Sequence, residues 1–167
     1  MDVGIFKRIL LFAVMCIVQA LVLNHVHLFN CATPLFYVYF VLLFPRNYPK
    51  WGILLWSFAL GLVIDSFSNT QGVAAASMTF VGLLQPYMLA LFVQRDSADD
   101  LKPTMKTLGM TSYVYYSFFL IFIYCLFFFT LETFSFFNWL QWLMSVGGST
   151  VVTLLLVLVI ESVRRKG

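Results

Sequence analysis

All ten lysine and arginine residues of this chain lie in alternate segments between its apolar stretches, and the intervening connections contain none. These residues are Lys7, Arg8, Arg46, Lys50, Arg95, Lys102, Lys106, Arg164, Arg165 and Lys166. Short loops that carry positive charge are retained on the cytoplasmic side during membrane insertion. The pattern therefore predicts a membrane protein with six transmembrane helices and both termini in the cytoplasm.

The composition agrees with a chain that lies almost entirely within a bilayer. Hydrophobic residues make up 62% of the 167 residues, charged residues make up 10%, and the mean hydropathy is +0.93. Six crossings of about 20 residues each leave no room for a soluble domain. The sequence predicts one all-α membrane domain over residues 1–167, a six-helix bundle. The predicted helices cover residues 5–23, 31–44, 51–66, 73–93, 110–129 and 139–160.

Charge, cysteines and histidines give no sign of a cofactor. The net charge of +3 comes from helix ends that face lipid headgroups, so we expect a membrane-anchoring role and no nucleic-acid partner. Cys16, Cys31 and Cys125 have no metal-binding spacing, and we expect the two that lie within apolar runs to pack as small apolar groups. His25 and His27 have no third ligand nearby and are interpreted as interfacial polar residues. We expect neither a metal nor a disulfide.

The third predicted helix is too short in its apolar part to cross a bilayer. From Trp51 to Ile64 it spans about 20 Å, against a hydrocarbon layer about 30 Å thick. A polar run from Asp65 to Gly72 follows, and it should begin within the outer half of the membrane. Non-helical backbone is tolerated there only when protein or a water-filled cavity surrounds it. We expect this connection to dip inward as a polar pocket or plug that includes Asn69.

Small residues and a proline predict where helices pack closely. The start of helix four is rich in alanine, which allows close helix contact in lipid. Pro86 follows Gly82 by four residues, so we expect a kink in that helix. Gly147 and Gly148 in helix six predict another close crossing. The charged loop 94–108 is interpreted as solvated surface, and the aromatic residues of helix five could face either lipid or a partner.

Asp65 is the one acidic residue that the sequence places within the hydrocarbon layer, and such residues are functional candidates by default. Three roles are open. The carboxylate could accept N–H groups from residues 66–71 or from the start of helix four, it could bind a ligand or proton, or it could bind a partner. Catalysis would need a second buried polar group at membrane depth, and the sequence predicts none. An enzyme is therefore disfavoured.

The region from Pro34 to Pro86 carries three recognisable features. Pro34 opens a short second helix, Pro45 lies in a basic inner loop, and Gly61-x-x-x-Asp65 is followed by a polar turn and Gly72. Together they resemble the rod shape-determining MreD family of bacterial membrane proteins, most closely its Bacteroidota versions. The chain has Ala74 where many relatives have histidine, and Gln71 where relatives often have proline. Any role of that histidine is therefore absent here.

The resemblance implies a non-enzymatic component of the cell-elongation machinery in the bacterial inner membrane. The expected partner is MreC, with MreB, RodA and a class B penicillin-binding protein in the wider complex. Gly61, Asp65 and Gly72 are the matching positions, and they would give close helix contact, an ordered turn and a chain reversal. The aromatic fifth helix is a candidate surface for a partner's transmembrane helix.

The leading alternative is the substrate-capture subunit of an energy-coupling-factor vitamin transporter. MreD is similar to that six-helix fold, so architecture cannot separate the two. Such subunits usually carry two small residues four apart on helix one, where they dock to the coupling subunit. Here Ala13 is followed by Ile17, and only Cys16 and Ala20 have that spacing, which disfavours the transporter.

Overall fold

The computed structural model describes residues 3–21, 36–69, 72–96, 101, 103–133 and 138–166. Within these ranges all regular secondary structure is helical. The helices are α1 (Val3–Leu21), α2 (Val38–Leu42), α3 (Lys50–Ser68), α4 (Val73–Phe92), α5 (Met105–Leu108), α6 (Met110–Thr133) and α7 (Trp139–Lys166). In the described part of the chain five of them, α1, α3, α4, α6 and α7, are long and apolar enough to cross a membrane. The described part of the chain is thus all-helical, and its long helices are those of a membrane protein by length and composition.

The second predicted transmembrane helix differs from the prediction. Instead of a helix over 31–44, the structure has α2, which is five residues long, and residues 31–35 lie outside the described ranges. Two turns flank α2, and Pro45 and Pro49 follow it. A helix this short gains little from its own hydrogen bonds, so its stability comes from packing against its neighbours. The predicted count of six long helices is therefore not confirmed.

Segment 36–44 nevertheless returns the chain alongside α1. The side-chain oxygen of Gln19, near the end of α1, accepts a hydrogen bond from Phe36 N at 3.1 Å. Arg8, near the start of α1, lies over the ring of Phe44 at 5.3 Å. The order of contacts is opposite along the two segments, so they run antiparallel. Segment 36–44 thus brings the chain back to the end of the bundle where α1 begins.

The remaining helices alternate in direction, and both ends of the described chain lie at the same end of the bundle. Antiparallel α4 and α6 contact each other through Phe92 and Tyr116 near one end and through Phe80 and Phe127 near the other. All nine described lysine and arginine residues lie at the end where α1 begins and α7 ends, and we call it the basic end. The opposite end is called the far end.

The centre of the bundle is formed by α2 and its flanking residues. Every residue of α2 is buried, as are Phe36, Tyr37 and Phe44. The hydroxyl of Tyr37 hydrogen-bonds that of Tyr124 on α6. A short helix that is apolar on all sides belongs in an interior, and the long helices surround this one.

The end of α2 leaves carbonyl groups that need partners, because unpaired backbone groups are costly in an apolar interior. Gln85 on α4 supplies one through its Nε2 atom, which donates to Phe44 O at 3.1 Å and to the Tyr116 hydroxyl at 2.9 Å. Tyr116 in turn donates to Leu42 O at 3.5 Å. Side chains of α4 and α6 thus cap the end of α2.

Helices α3 and α4 pack most closely at two glycines. A Cβ atom added at Gly61 would lie 2.4 Å from Ala75 Cα, and one added at Gly82 would lie 2.7 Å from Ser57 Oγ. Close contact at the alanine-rich start of α4 is thus confirmed. Pro86 lies within α4 without ending it, and the kink expected there stays a prediction.

A close helix crossing was predicted at Gly147 and Gly148, and in the described chain Gly147 takes no part in one. This glycine is exposed, and a Cβ atom added to it would meet no atom of the described chain within 4 Å. The neighbouring Ser149, Thr150 and Thr153 are buried instead, so the interior face of α7 lies on the other side of the helix. Gly148 is half-buried.

Gly61, which lies against α4, and Gly147, which is exposed, provide a matched test of helix packing. Gly61→Ala should lower the free energy of unfolding by about 1–3 kcal/mol, because its methyl group would overlap the backbone of α4. Gly147→Ala should leave stability unchanged or slightly raised, since alanine favours helix and nothing blocks it. Unfolding of each purified variant in mixed micelles measures the difference. Equal stability of the two variants would contradict the close α3–α4 contact.

Candidate functional site

Asp65 lies in the last turn of α3 and is 6% exposed. Its Oδ1 atom accepts a hydrogen bond from Ala74 N at 2.9 Å, and its Oδ2 atom accepts one from Ala75 N at 3.0 Å. The N-cap of α4 is Gly72, which has no side chain that could accept these N–H groups. Asp65 therefore caps α4 from the preceding helix, at the end where a negative charge is favoured.

The turn between α3 and α4 uses two residues in the left-handed region. Asn69 ends α3 with a φ of 56°, and its N–H donates to Asp65 O. Gly72 begins α4 with a φ of 78°, a conformation that glycine adopts without steric strain. Asn69 is exposed, and residues 70 and 71 lie outside the described ranges.

The sequence predicts that the third helix ends at residue 66, two residues into the polar run 65–72, whereas α3 continues through Ser68. Polar side chains can remain in a helix when they find partners, and two of them do so here. Asp65 accepts the N–H groups of α4, while Ser66 Oγ donates to Leu62 O at 3.0 Å. The connection is consequently shorter than the sequence indicates.

Gly61, Asp65 and Gly72 act on one junction. Gly61 lets α3 approach Ala75, Asp65 binds the N–H groups of Ala74 and Ala75, and Gly72 reverses the chain. Of the three roles left open for Asp65, the observed hydrogen bonds are those of a cap at the start of helix four. The three residues of the motif thus hold two antiparallel helices together.

A second buried carboxylate lies at the basic end and was missed from the sequence. Glu161 is 2% exposed, and α7 continues past it to Lys166 rather than ending at residue 160. Its Oε2 atom accepts from the Tyr39 hydroxyl at 2.8 Å, and its Oε1 atom accepts from Met105 N at 3.3 Å. Arg164 lies 3.9 Å from the carboxylate. Glu161 thus connects α7 with α2 and α5.

The sequence did contain a signal for Glu161. Buried positions on α7 recur every three or four residues, at Val146, Thr150, Thr153, Val157 and Glu161, so residue 161 falls on the interior face. The expectation that Asp65 has no second buried polar group is therefore wrong. Other buried polar residues are Gln19, Ser57, Ser77, Gln85, Ser117, Ser149, Thr150 and Thr153. The two carboxylates lie at opposite ends of the bundle, so they do not belong to one site.

Loop 94–108 is only partly the solvated surface that its charges indicate. Arg95 and Asp96 are exposed, but Met105 is buried against the bundle. The carbonyl oxygen of Leu101 accepts from Arg46 N at 3.0 Å, and Thr104 forms a capping box at the start of α5. In the described part of this loop, residues 101 and 103–108 therefore dock on the basic end, whereas residues 95 and 96 are solvated.

The aromatic residues of α6 divide between two faces. Tyr113, Tyr116 and Tyr124 are buried with Phe128 and Phe129. The opposite side is exposed and consists of Tyr115, Phe118, Phe119, Phe122 and Leu126, which we call the outer face of α6. The buried side packs inside this chain's own bundle, and contact of the exposed side with lipid or with a partner stays a prediction.

The candidate metal residues are only partly described. Cys16 and Cys125 are buried free thiols, whereas His25, His27 and Cys31 lie outside the described ranges. No family model, curated protein or solved structure matches the chain. The motif around Asp65 and the geometry of the two carboxylates are therefore the observations that bear on function.

Replacement of Asp65 tests the cap. In Asp65→Asn one of the two N–H groups of α4 would face an amide NH₂ group, so we expect a loss of about 1–3 kcal/mol in stability. Amide exchange at Ala74 and Ala75 should accelerate. Glu132→Gln removes an exposed carboxylate from the same end and should change neither quantity. A fully stable Asp65→Ala variant would contradict the capping role.

Replacement of Glu161 tests the docking of α5. Glu161→Ala leaves the Met105 N–H group and the Tyr39 hydroxyl without their acceptor, so we expect faster amide exchange across residues 103–108. Arg165→Ala, an exposed neighbour, serves as the control. Exchange at Ala74 and Ala75 should stay slow in both variants, because the two carboxylates act at opposite ends.

Proposed function

We propose that this chain is an MreD-type protein, a non-enzymatic scaffold of the bacterial cell-elongation machinery that binds MreC. MreB, RodA and a class B penicillin-binding protein would belong to the wider complex. The proposed location is the inner membrane, with both termini in the cytoplasm, because the basic end carries all nine described lysine and arginine residues.

The observation that carries this proposal is the use made of the Gly61–Asp65–Gly72 motif. Both oxygens of Asp65 accept backbone N–H groups of α4, and Gly61 lies against the α4 backbone. A motif whose residues join two helices supports a protein that presents a fixed surface. The resemblance to MreD rests on the same three residues, which links the sequence argument to this geometry.

An intramembrane enzyme is less well supported. Catalysis by paired groups requires them within hydrogen-bond reach of one substrate, whereas Asp65 and Glu161 lie at opposite ends of the bundle. Each carboxylate also accepts a backbone N–H group, and Glu161 accepts a tyrosine hydroxyl in addition. These contacts support structural roles for both.

The vitamin-transporter subunit remains the second candidate, and one observation weighs against it. Cys16 and Ala20 are the pair on helix one that has the docking spacing. Cys16 is 6% exposed and Ala20 is half-buried, so the pair faces the bundle interior. A coupling subunit could not dock there without displacing other helices of this chain.

The surface that we propose for MreC is the outer face of α6. Tyr115, Phe118 and Phe122 on this face recur at three- or four-residue spacing, so their rings form one continuous strip. A single transmembrane helix could pack along such a strip through van der Waals contact.

Purification of the tagged full-length chain in mild detergent from its rod-shaped host tests this function. We expect mass spectrometry to find MreC with it, and depletion of the chain to make cells round or lyse. A tightly bound vitamin without MreC would support the transporter instead. If Asp65→Asn retained both elongation and MreC binding, the carboxylate would not be required for function.

Variants of the outer face of α6 sharpen this test. Phe118→Ala with Phe122→Ala should reduce MreC recovery several-fold while leaving the bundle folded, since both rings are exposed. Phe58→Ala removes an exposed ring from α3 and should not affect recovery. Equal recovery from all variants would place the partner elsewhere.

A further inference from the structure

We propose that the basic end of the α3–α4 hairpin binds one anionic phospholipid. Its phosphate would contact the ammonium group of Lys50 and the hydroxyl of Tyr87, and its acyl chains would lie along α3 and α4. This inference does not depend on the proposed function.

The polar part of the site is an exposed lysine placed against a tyrosine. Lys50 Nζ lies 3.4 Å from the Tyr87 hydroxyl and 4.5 Å from the centre of its ring. Both residues are exposed, and among the described residues the ammonium group contacts Tyr87 alone. Two of its three donors are therefore available for phosphate oxygens, and hydrogen bonds from a charged donor are the strong ones.

The apolar part consists of two exposed stripes on adjacent helices. Both have the three- or four-residue spacing that puts side chains on one helix face. The stripe on α3 is Trp51, Leu55, Phe58 and Leu62, and the stripe on α4 is Phe80, Leu83, Tyr87 and Leu91. Close contact at Gly61 and Gly82 holds α3 and α4 together, and Lys50, which precedes Trp51, contacts Tyr87 of the stripe on α4. Trp51 and Tyr87 are residues typical of the headgroup level.

The charge distribution selects an anionic headgroup. Among the described residues, the basic end has nine lysine and arginine residues and two acidic residues, Asp96 and Glu161, while Asp65 and Glu132 lie toward the far end. Glu161 is buried against Tyr39 and Met105, which removes it from the surface. A basic surface at headgroup depth attracts anionic lipid.

Lipid titration of the purified full-length chain in detergent, followed by native mass spectrometry, tests the site. The probes are phosphatidylglycerol, phosphatidylethanolamine and glycerol phosphate, which offers the headgroup without acyl chains. We expect one tightly retained phosphatidylglycerol, weaker binding of phosphatidylethanolamine, and no displacement by glycerol phosphate at matched concentration.

Two variants and one control locate the phosphate. Lys50→Gln should weaken phosphatidylglycerol binding about fivefold. Tyr87→Phe keeps the ring and should cause a smaller loss. Lys106→Gln removes an equal charge from an exposed position at the same end and should change binding less than twofold. The thermal transition of each variant should match that of the unmodified protein, because all three side chains are exposed.

Equal losses in Lys50→Gln and Lys106→Gln would overturn the proposal, because general charge attraction would then explain the binding. Equal retention of phosphatidylethanolamine would do the same. Displacement by glycerol phosphate would indicate a site for free phosphate esters rather than for lipid.

Discussion

The fold depends on side chains that pair with free backbone groups at the ends of other helices. Asp65 on α3 accepts N–H groups at the start of α4, and Gln85 on α4 donates to a carbonyl beyond the end of α2. Glu161 on α7 accepts the first N–H of α5, and Gln19 on α1 accepts the N–H of Phe36 ahead of α2. No bulk water is present in the hydrocarbon layer to bind such groups, so a chain with interrupted helices needs these pairings.

Capping between helices also sets the packing. A carboxylate on α3 can reach Ala74 and Ala75 only when the two helix backbones are close together, and a side chain at Gly61 would keep them apart. The hydrogen bonds of Asp65 therefore depend on the close approach of α3 and α4 that Gly61 allows. A similar relation holds at the end of α2, which is buried. Phe40 O and Val41 O accept backbone N–H groups there, while Leu42 O and Phe44 O accept hydrogen bonds from Tyr116 and Gln85 on other helices.

The sequence predicted the features that depend on composition and on local spacing. The all-helical membrane class, the grouping of basic residues at one end, the start of α3 and the bounds of α4 to within one residue follow from them. Features that depend on tertiary neighbours were missed. The hydropathy of an apolar stretch does not show that its helix is as short as α2. Glu161 is close to Arg164 in the sequence and so looks like a surface residue, although its spacing from the other buried residues of α7 places it on the interior face. Gly147 shows the reverse error, since a small residue permits a close crossing without requiring one.

Buried polar residues of this bundle pair with backbone groups, which leaves the surface as the place for recognition of partners and lipids. Asp65, Gln85 and Glu161 all pair with the backbone of another segment, so their loss would act first through stability. Loss of function at Asp65 would therefore not by itself identify a binding site. Exposed features such as the outer face of α6 and the Lys50–Tyr87 pair can change without disturbing the interior. Recognition of partners and lipids is best sought there, because those side chains contribute little to holding the helices together.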